Sequence, residues 1–175
     1  MKVTIIALLM ALSTSSFSQT KETYTILKCK DVMTEKEYAY GNENLVCISS
    51  DRKKGFRISI MFDFKKNDVV YKGFSVLSSN LGSCVEHDQI IILFEDGTKY
   101  ESTSWNSFNC EGDSYFDYTS KDLDKLTKSK IKAIRFTNGR TYESMTYPVS
   151  ESESNYFINV KYALENKVFG EGKCN

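Results

Sequence analysis

Histidine is almost missing from this chain: His87 is the only one in 175 residues, alongside one proline, Pro148, and one tryptophan, Trp105. Each scarcity excludes chemistry. A Cys-His nucleophile pair would have to use His87, with the thiol three residues away in Cys84-Val-Glu-His87, and a disulfide at Cys84 would consume that thiol. A zinc site would need His87 with Glu86, Asp88 or a cysteine, and neighbouring residues seldom converge on one ion. There is no Cys-x-x-Cys for a zinc ribbon or thioredoxin-type motif, no Gly-x-Ser-x-Gly and no phosphate-binding Gly-x-x-x-x-Gly-Lys. Hydrolase triads and nucleotide binding therefore have no support. Net charge is also lacking, with 23 basic residues against 23 acidic ones. The basic runs at 52–54 and 121–132 contain or adjoin acids, so no electrostatic footprint for nucleic acid exists.

Long apolar runs are missing too. The longest, Val3 to Leu12, is too short for the roughly 20 residues that span a bilayer. Preceded by Lys2 and followed by Ser16-Phe17-Ser18, it reads as a secretory signal peptide, 1–18, removed to leave one β-rich domain, 19–175. No cysteine stands at the expected cleavage point, so a lipid anchor is not expected, and no later segment reads as a transmembrane span. The expected location is the periplasm or the exterior.

All five cysteines, Cys29, Cys47, Cys84, Cys110 and Cys174, lie in the exported part, where disulfides form and persist. Five is odd, so at least one is unpaired or intermolecular.

What is present begins with a passage written twice. Phe94-Glu-Asp-Gly-Thr-Lys-Tyr-Glu-Ser-Thr-Ser-Trp105 returns as Phe136-Thr-Asn-Gly-Arg-Thr-Tyr-Glu-Ser-Met-Thr-Tyr147. Each copy sets Asp96-Gly97 or Asn138-Gly139 between strand-forming runs, which predicts two type I′ hairpins. A two-residue turn at Asp96-Gly97 would place Leu93 opposite Tyr100 and Asp88 opposite Trp105, and would bring Cys84 and Cys110 nearly face to face. That disulfide is expected. Cys29 with Cys47 is a second pairing, with Cys174 able to take either partner. Two copies of one hairpin are too few for a repeat array.

Further strands are expected at 23–30, 44–50, 56–64, 69–79 and 114–119, rich in Val, Ile, Phe, Tyr and Thr. The 56–64 run alternates apolar and polar residues with a break at Met61, and the loop 51–55 should join it antiparallel to 44–50. Ile90-Ile-Ile-Leu-Phe94 is apolar on both faces and is expected to be central and covered on both sides. A short helix should follow a cap at Thr119-Ser-Lys-Asp122, using Leu123 and Leu126. A C-terminal amphipathic helix capped by Ser152 or Ser154 should bury Phe157, Val160, Leu164 and Val168. The fold class is mainly β, an antiparallel sandwich or open barrel built from hairpins with those two helices; α+β layering is the alternative.

Function is read from surfaces, because no catalytic set assembles. Eleven Tyr, eleven Phe and Trp105 make the chain aromatic, and amphipathic rings suit recognition. The candidate binding surface is Tyr100, Glu101, Trp105, Tyr142, Glu143 and Tyr147, equivalent places in the two repeats, with Tyr115, Phe116 and Tyr118 close behind. The bland account is that these rings pack the core and the glutamates sit on solvated strand positions. The expectation is an exported non-catalytic binding protein for a protein or glycan partner, with no cofactor or metal. One alternative is an exported inhibitor or immunity-type protein. Another is a hydrolase that uses Glu101, Glu143, Asp113 or Asp117, which would need two carboxylates across a cleft.

Overall fold

The computed structural model describes residues 23–66, 68–82, 84–117 and 120–174; the expected leader, 1–18, and the expected cap, Thr119, lie outside them, as does Tyr118. The described strands are β1 (Ile26–Lys30), β2 (Glu37–Gly41), β3 (Leu45–Ile48), β4 (Gly55–Lys65), β5 (Asp68–Ser79), β6 (Gln89–Phe94), β7 (Lys99–Thr103), β8 (Asp113–Asp117), β9 (Ile131–Thr137), β10 (Ser144–Pro148) and β11 (Phe169–Glu171). Helix α1 (Ser120–Thr127) precedes β9, and α2 (Tyr156–Glu165) precedes β11. The fold is mainly β. One sheet runs β11-β1-β2-β4-β5-β8, with β3 also paired to β4, and a second runs β10-β9-β6-β7. No helix among the described residues is long and apolar enough to cross a membrane.

Alternation decides which faces meet. Phe56, Ile58 and Ile60 of β4, Phe74 and Val76 of β5 and Phe116 of β8 are buried against Ile90, Ile92 and Phe94 of β6, Tyr100 of β7, and Ile134 and Phe136 of β9. Rings bridge the gap between the sheets: Phe56 lies 5.7 Å from Phe136 and Phe74 lies 6.5 Å from Tyr100, centroid to centroid. Helix α2 adds Phe157 beside Phe74 at 6.2 Å. The break in alternation at Met61 has a structural counterpart, because the β4–β5 register shifts between Met61 and Phe62 and the ladder passes over Lys72.

Several expectations change. Strand β6 is central, but only one of its faces is fully covered; Ile91 and Leu93 on the other face are half-buried beside Ala133 and Arg135. Strand β2 was not expected, nor was β11, which pairs in parallel with β1. Cys29 bonds to Cys174, not to Cys47, because β11 carries the C-terminal tail to β1 while Cys47 points into the core from β3. Cys84 bonds to Cys110.

The N-cap position of helix α2 is Asn155, not a serine, and it makes no side-chain cap bond; Ser154 is buried and donates its hydroxyl to the Glu151 carbonyl. The helix ends before Val168. Lys167 takes a left-handed φ of 51°, and the amides of Lys167 and Val168 return to the Leu164 and Ala163 carbonyls, the Schellman pattern.

Neither repeated dipeptide forms a type I′ turn. In the first copy the Gly97 amide donates to Phe94 and the Phe94 amide donates to Thr98, a three-residue loop with Gly97 at φ 82°. That is a type I turn closed by a bulge, and it moves the register by one: Ile92 faces Tyr100, and Ile91 faces Glu101. In the second copy the Asn138 amide donates to Glu143 and the Tyr142 amide to Asn138, with Tyr142 at φ 58°. Ile134 therefore faces Tyr147, and Glu143 stands at the loop opposite Asn138.

Candidate functional site

Asn138 and Gly139 do a different job from turning the chain. Asn138 is fully buried, and its side-chain amide donates to the Cys84 carbonyl at 2.8 Å while its oxygen accepts the amides of Arg140 and Thr141. The Gly139 amide donates to the Asp88 carboxylate at 2.8 Å. Asp88 is also fully buried; its second oxygen accepts the Ser114 hydroxyl, and its own amide donates to the Ser104 hydroxyl. A buried carboxylate needs such partners. The result is a polar clasp tying the 84–88 segment, the 104–109 segment, β8 and the second hairpin together beside the Cys84–Cys110 disulfide.

The clasp positions a surface. Asn106 donates to the Ser107 and Asp113 carbonyls and accepts the Tyr115 amide, and the Trp105 amide donates to the Tyr115 carbonyl at 3.0 Å. The 104–109 segment is thereby laid along the free edge of β8. Trp105 is 58% exposed, and its ring sits 5.7 Å from that of Tyr115, tilted by 32°. Because Ser114 and Phe116 point inward, Asp113, Tyr115 and Asp117 face outward. Register sets Tyr115 beside Ser75 and Ser75 beside Ser59, and sets Asp113 beside Leu77 and Leu77 beside Arg57. The ring pair thus borders a sheet face carrying hydroxyls, one guanidinium and two carboxyls. Burial raises the Asp113 carboxyl above its ordinary pKa, Arg57 opposes that rise and Glu111 adds to it. Nearby, Arg140 lies over the Phe108 ring at 4.5 Å, and Tyr142 on the same hairpin loop is 80% exposed.

The six candidate residues do not form one surface. Strand order β10-β9-β6-β7 puts the second strands of the two repeats at opposite edges of the sheet, about 14 Å apart at ordinary strand spacing. Tyr100 is a core residue, 4% exposed, its hydroxyl pKa raised chiefly by burial. Glu101 is exposed on the outer face, and Glu143 pairs with Lys54 at 3.0 Å. Tyr147 is half-buried and donates to Glu153 at 3.3 Å. Phe116 is wholly buried. Of the six, Trp105 reaches the outer face of the large sheet, and Tyr142 lies on the hairpin loop held by the clasp. Phe108 and Arg140 carried no signal in the sequence, since only the clasp brings their loops into contact.

The carboxylates are scattered as well. Asp113 and Asp117 stand at opposite ends of β8, about 13 Å apart along an extended strand. Glu101 and Glu143 belong to different edges. His87 is exposed, and the thiol nearest to it in sequence, that of Cys84, is bonded to Cys110. Cys47 keeps a free thiol, but it is buried, and burial pushes its pKa up, away from the thiolate that nucleophilic chemistry needs. No protein-family model, curated protein or solved structure matches the chain.

Proposed function

We propose that this chain is an exported, non-catalytic binding protein whose Trp105–Tyr115 surface receives a glycan. The observation that carries the reading is the exposed Trp105 ring, paired with the half-buried ring of Tyr115 and set beside Ser59, Ser75, Arg57 and the two outward carboxyls of β8. Aromatic faces stack on the apolar faces of sugar rings, and flanking hydroxyl and charged groups satisfy sugar hydroxyls. The clasp supports it too, because a platform already held by buried hydrogen bonds loses little entropy on binding. Two disulfides suit an oxidising, exported setting.

Trp105 is the sole tryptophan, so its fluorescence reports on the site directly. Titration of the oxidised protein with a panel of polysaccharides should shift the emission to shorter wavelength for at least one of them, and Trp105→Ala should lose retention on that polysaccharide. Unchanged emission across the panel, or equal retention of the variant, would overturn the reading.

A further inference from the structure

The two most exposed large apolar side chains in the described structure are neighbours. Val32 is 91% exposed and Met33 90%, at the tip of the β1–β2 hairpin. Exposed apolar residues on loops are common singly, but this pair is held. The Asp31 carboxylate accepts the amides of Met33 at 2.8 Å and Thr34 at 2.6 Å. The Asp31 amide donates to Lys36, and the Glu35 amide to Asp31, with Glu35 at a left-handed φ of 57°. At the base, Cys29 bonds to Cys174. Fixing a tip removes most of the ordering cost that a flexible loop bears on binding.

The charges around the tip select its partner. Lys28, Lys30 and Lys36 are balanced by Asp31, Glu35 and Glu37, so the hairpin end has no net charge to draw it to an anionic lipid surface. An apolar centre ringed by mixed charge is the composition of a protein contact. Tyr38 leaves a half-exposed ring on one face of the same hairpin, and an open recess of about 630 Å³ borders the hairpin, lined by Lys28, Lys30, Glu37, Phe64 and Gly172. The tip is remote from the Trp105 surface: β2 and β8 flank the β4–β5 pair on opposite sides, and Tyr40 opposite Met61 directs the tip toward the β4–β5 turn.

We infer that the 31–36 tip is a preformed plug that enters an apolar pocket, bordered by mixed charge, on a second protein. The inference stands apart from the glycan reading, since it uses none of the same residues.

A photo-crosslinking amino acid placed at Met33 of the full oxidised chain, and in a control at the exposed Tyr162 of α2, tests it in extracts of the compartment that holds the protein. Position 33, and not 162, should crosslink to one protein through apolar side chains. That protein, purified, should bind the chain in equimolar ratio, and the double variant Val32→Ser, Met33→Ser should weaken it about a hundredfold with unchanged thermal unfolding. Trp105→Ala should bind as the parent does. Crosslinks to lipid alone, to a second copy of this chain, or to many abundant proteins at both positions would overturn the inference. Equal affinity of the double variant would do so as well.

Discussion

Gly97 and Gly139 occupy the same place in the repeated passage, yet the structure assigns them opposite reasons for being glycine. Gly97 stands in open space and adopts φ 82°, so alanine there meets only the left-handed penalty, about 1 kcal/mol. Gly139 needs no left-handed φ, but a side chain there would run into the backbone of Glu86 and His87, which cannot step aside as a flexible side chain would. Gly139→Ala must therefore open the clasp. It forfeits the Gly139 amide bond to the buried Asp88 carboxylate, about 1.5–3 kcal/mol for a bond to a charged group, and the Asn138 bond to Cys84, about 1 kcal/mol. The expected loss is about 2.5–4 kcal/mol, or roughly 5–16 °C in midpoint for a chain of this size. Equilibrium urea unfolding of the two oxidised variants measures it. Equal losses, or a loss below about 1 kcal/mol for Gly139→Ala, would refute the argument that close approach and not turn geometry holds that glycine.

Two further outcomes follow from burial and backbone strain. Burial holds Cys47, Tyr24, Tyr71 and Tyr156 protonated, raising each above its value in the unfolded chain, about 8.5 for cysteine and about 10 for tyrosine. The folded state then binds these protons more tightly, so their contribution is complete below about pH 8 and is lost as pH rises through the unfolded values and beyond. Urea midpoints should fall steadily between pH 8 and pH 10.5, and a flat profile would contradict the burial of these groups. Lys167→Gly should stabilise the chain by about 0.5–1 kcal/mol by relieving the left-handed φ at the end of α2, because the exposed Lys167–Asp68 pair it removes is worth little. Thermal unfolding reads the difference, and no gain would mean that this helix end carries no strain.

Much of the β pattern is visible in one dimension because period-two burial writes itself into the residue order. Phe56, Ile58 and Ile60 alternate with Arg57 and Ser59, and the break at Met61 marks the true irregularity of the ladder. The convergence of Cys84 and Cys110 survives a register error of one residue because Val85 and Asn109 pair directly and the chain beyond β7 is irregular enough to absorb the difference. The short strands β2 and β11 are harder to see. Glu37-Tyr-Ala-Tyr-Gly41 has no buried face in its residue types, and Phe169–Glu171 is a strand only because β1 offers it an edge.

The twice-written passage divides the two kinds of information most sharply. Sequence alone determined that each copy begins with a strand, since Ile90, Ile92 and Phe94, like Ile134 and Phe136, are apolar at period two and have to be buried. It also determined that the chain turns soon after in both copies. Tertiary structure decided how they turn. At Asp96-Gly97 nothing but solvent is near, and local backbone preference governs. At Asn138-Gly139 the buried Asp88 carboxylate takes the Gly139 backbone amide and the Cys84 carbonyl takes the Asn138 side-chain amide, and satisfying these buried groups outweighs the small difference between two hairpin loops. The register, the separation of Glu101 from Glu143, and the placing of Trp105 beside Tyr115 all depend on partners remote in the chain, which no local pattern specifies.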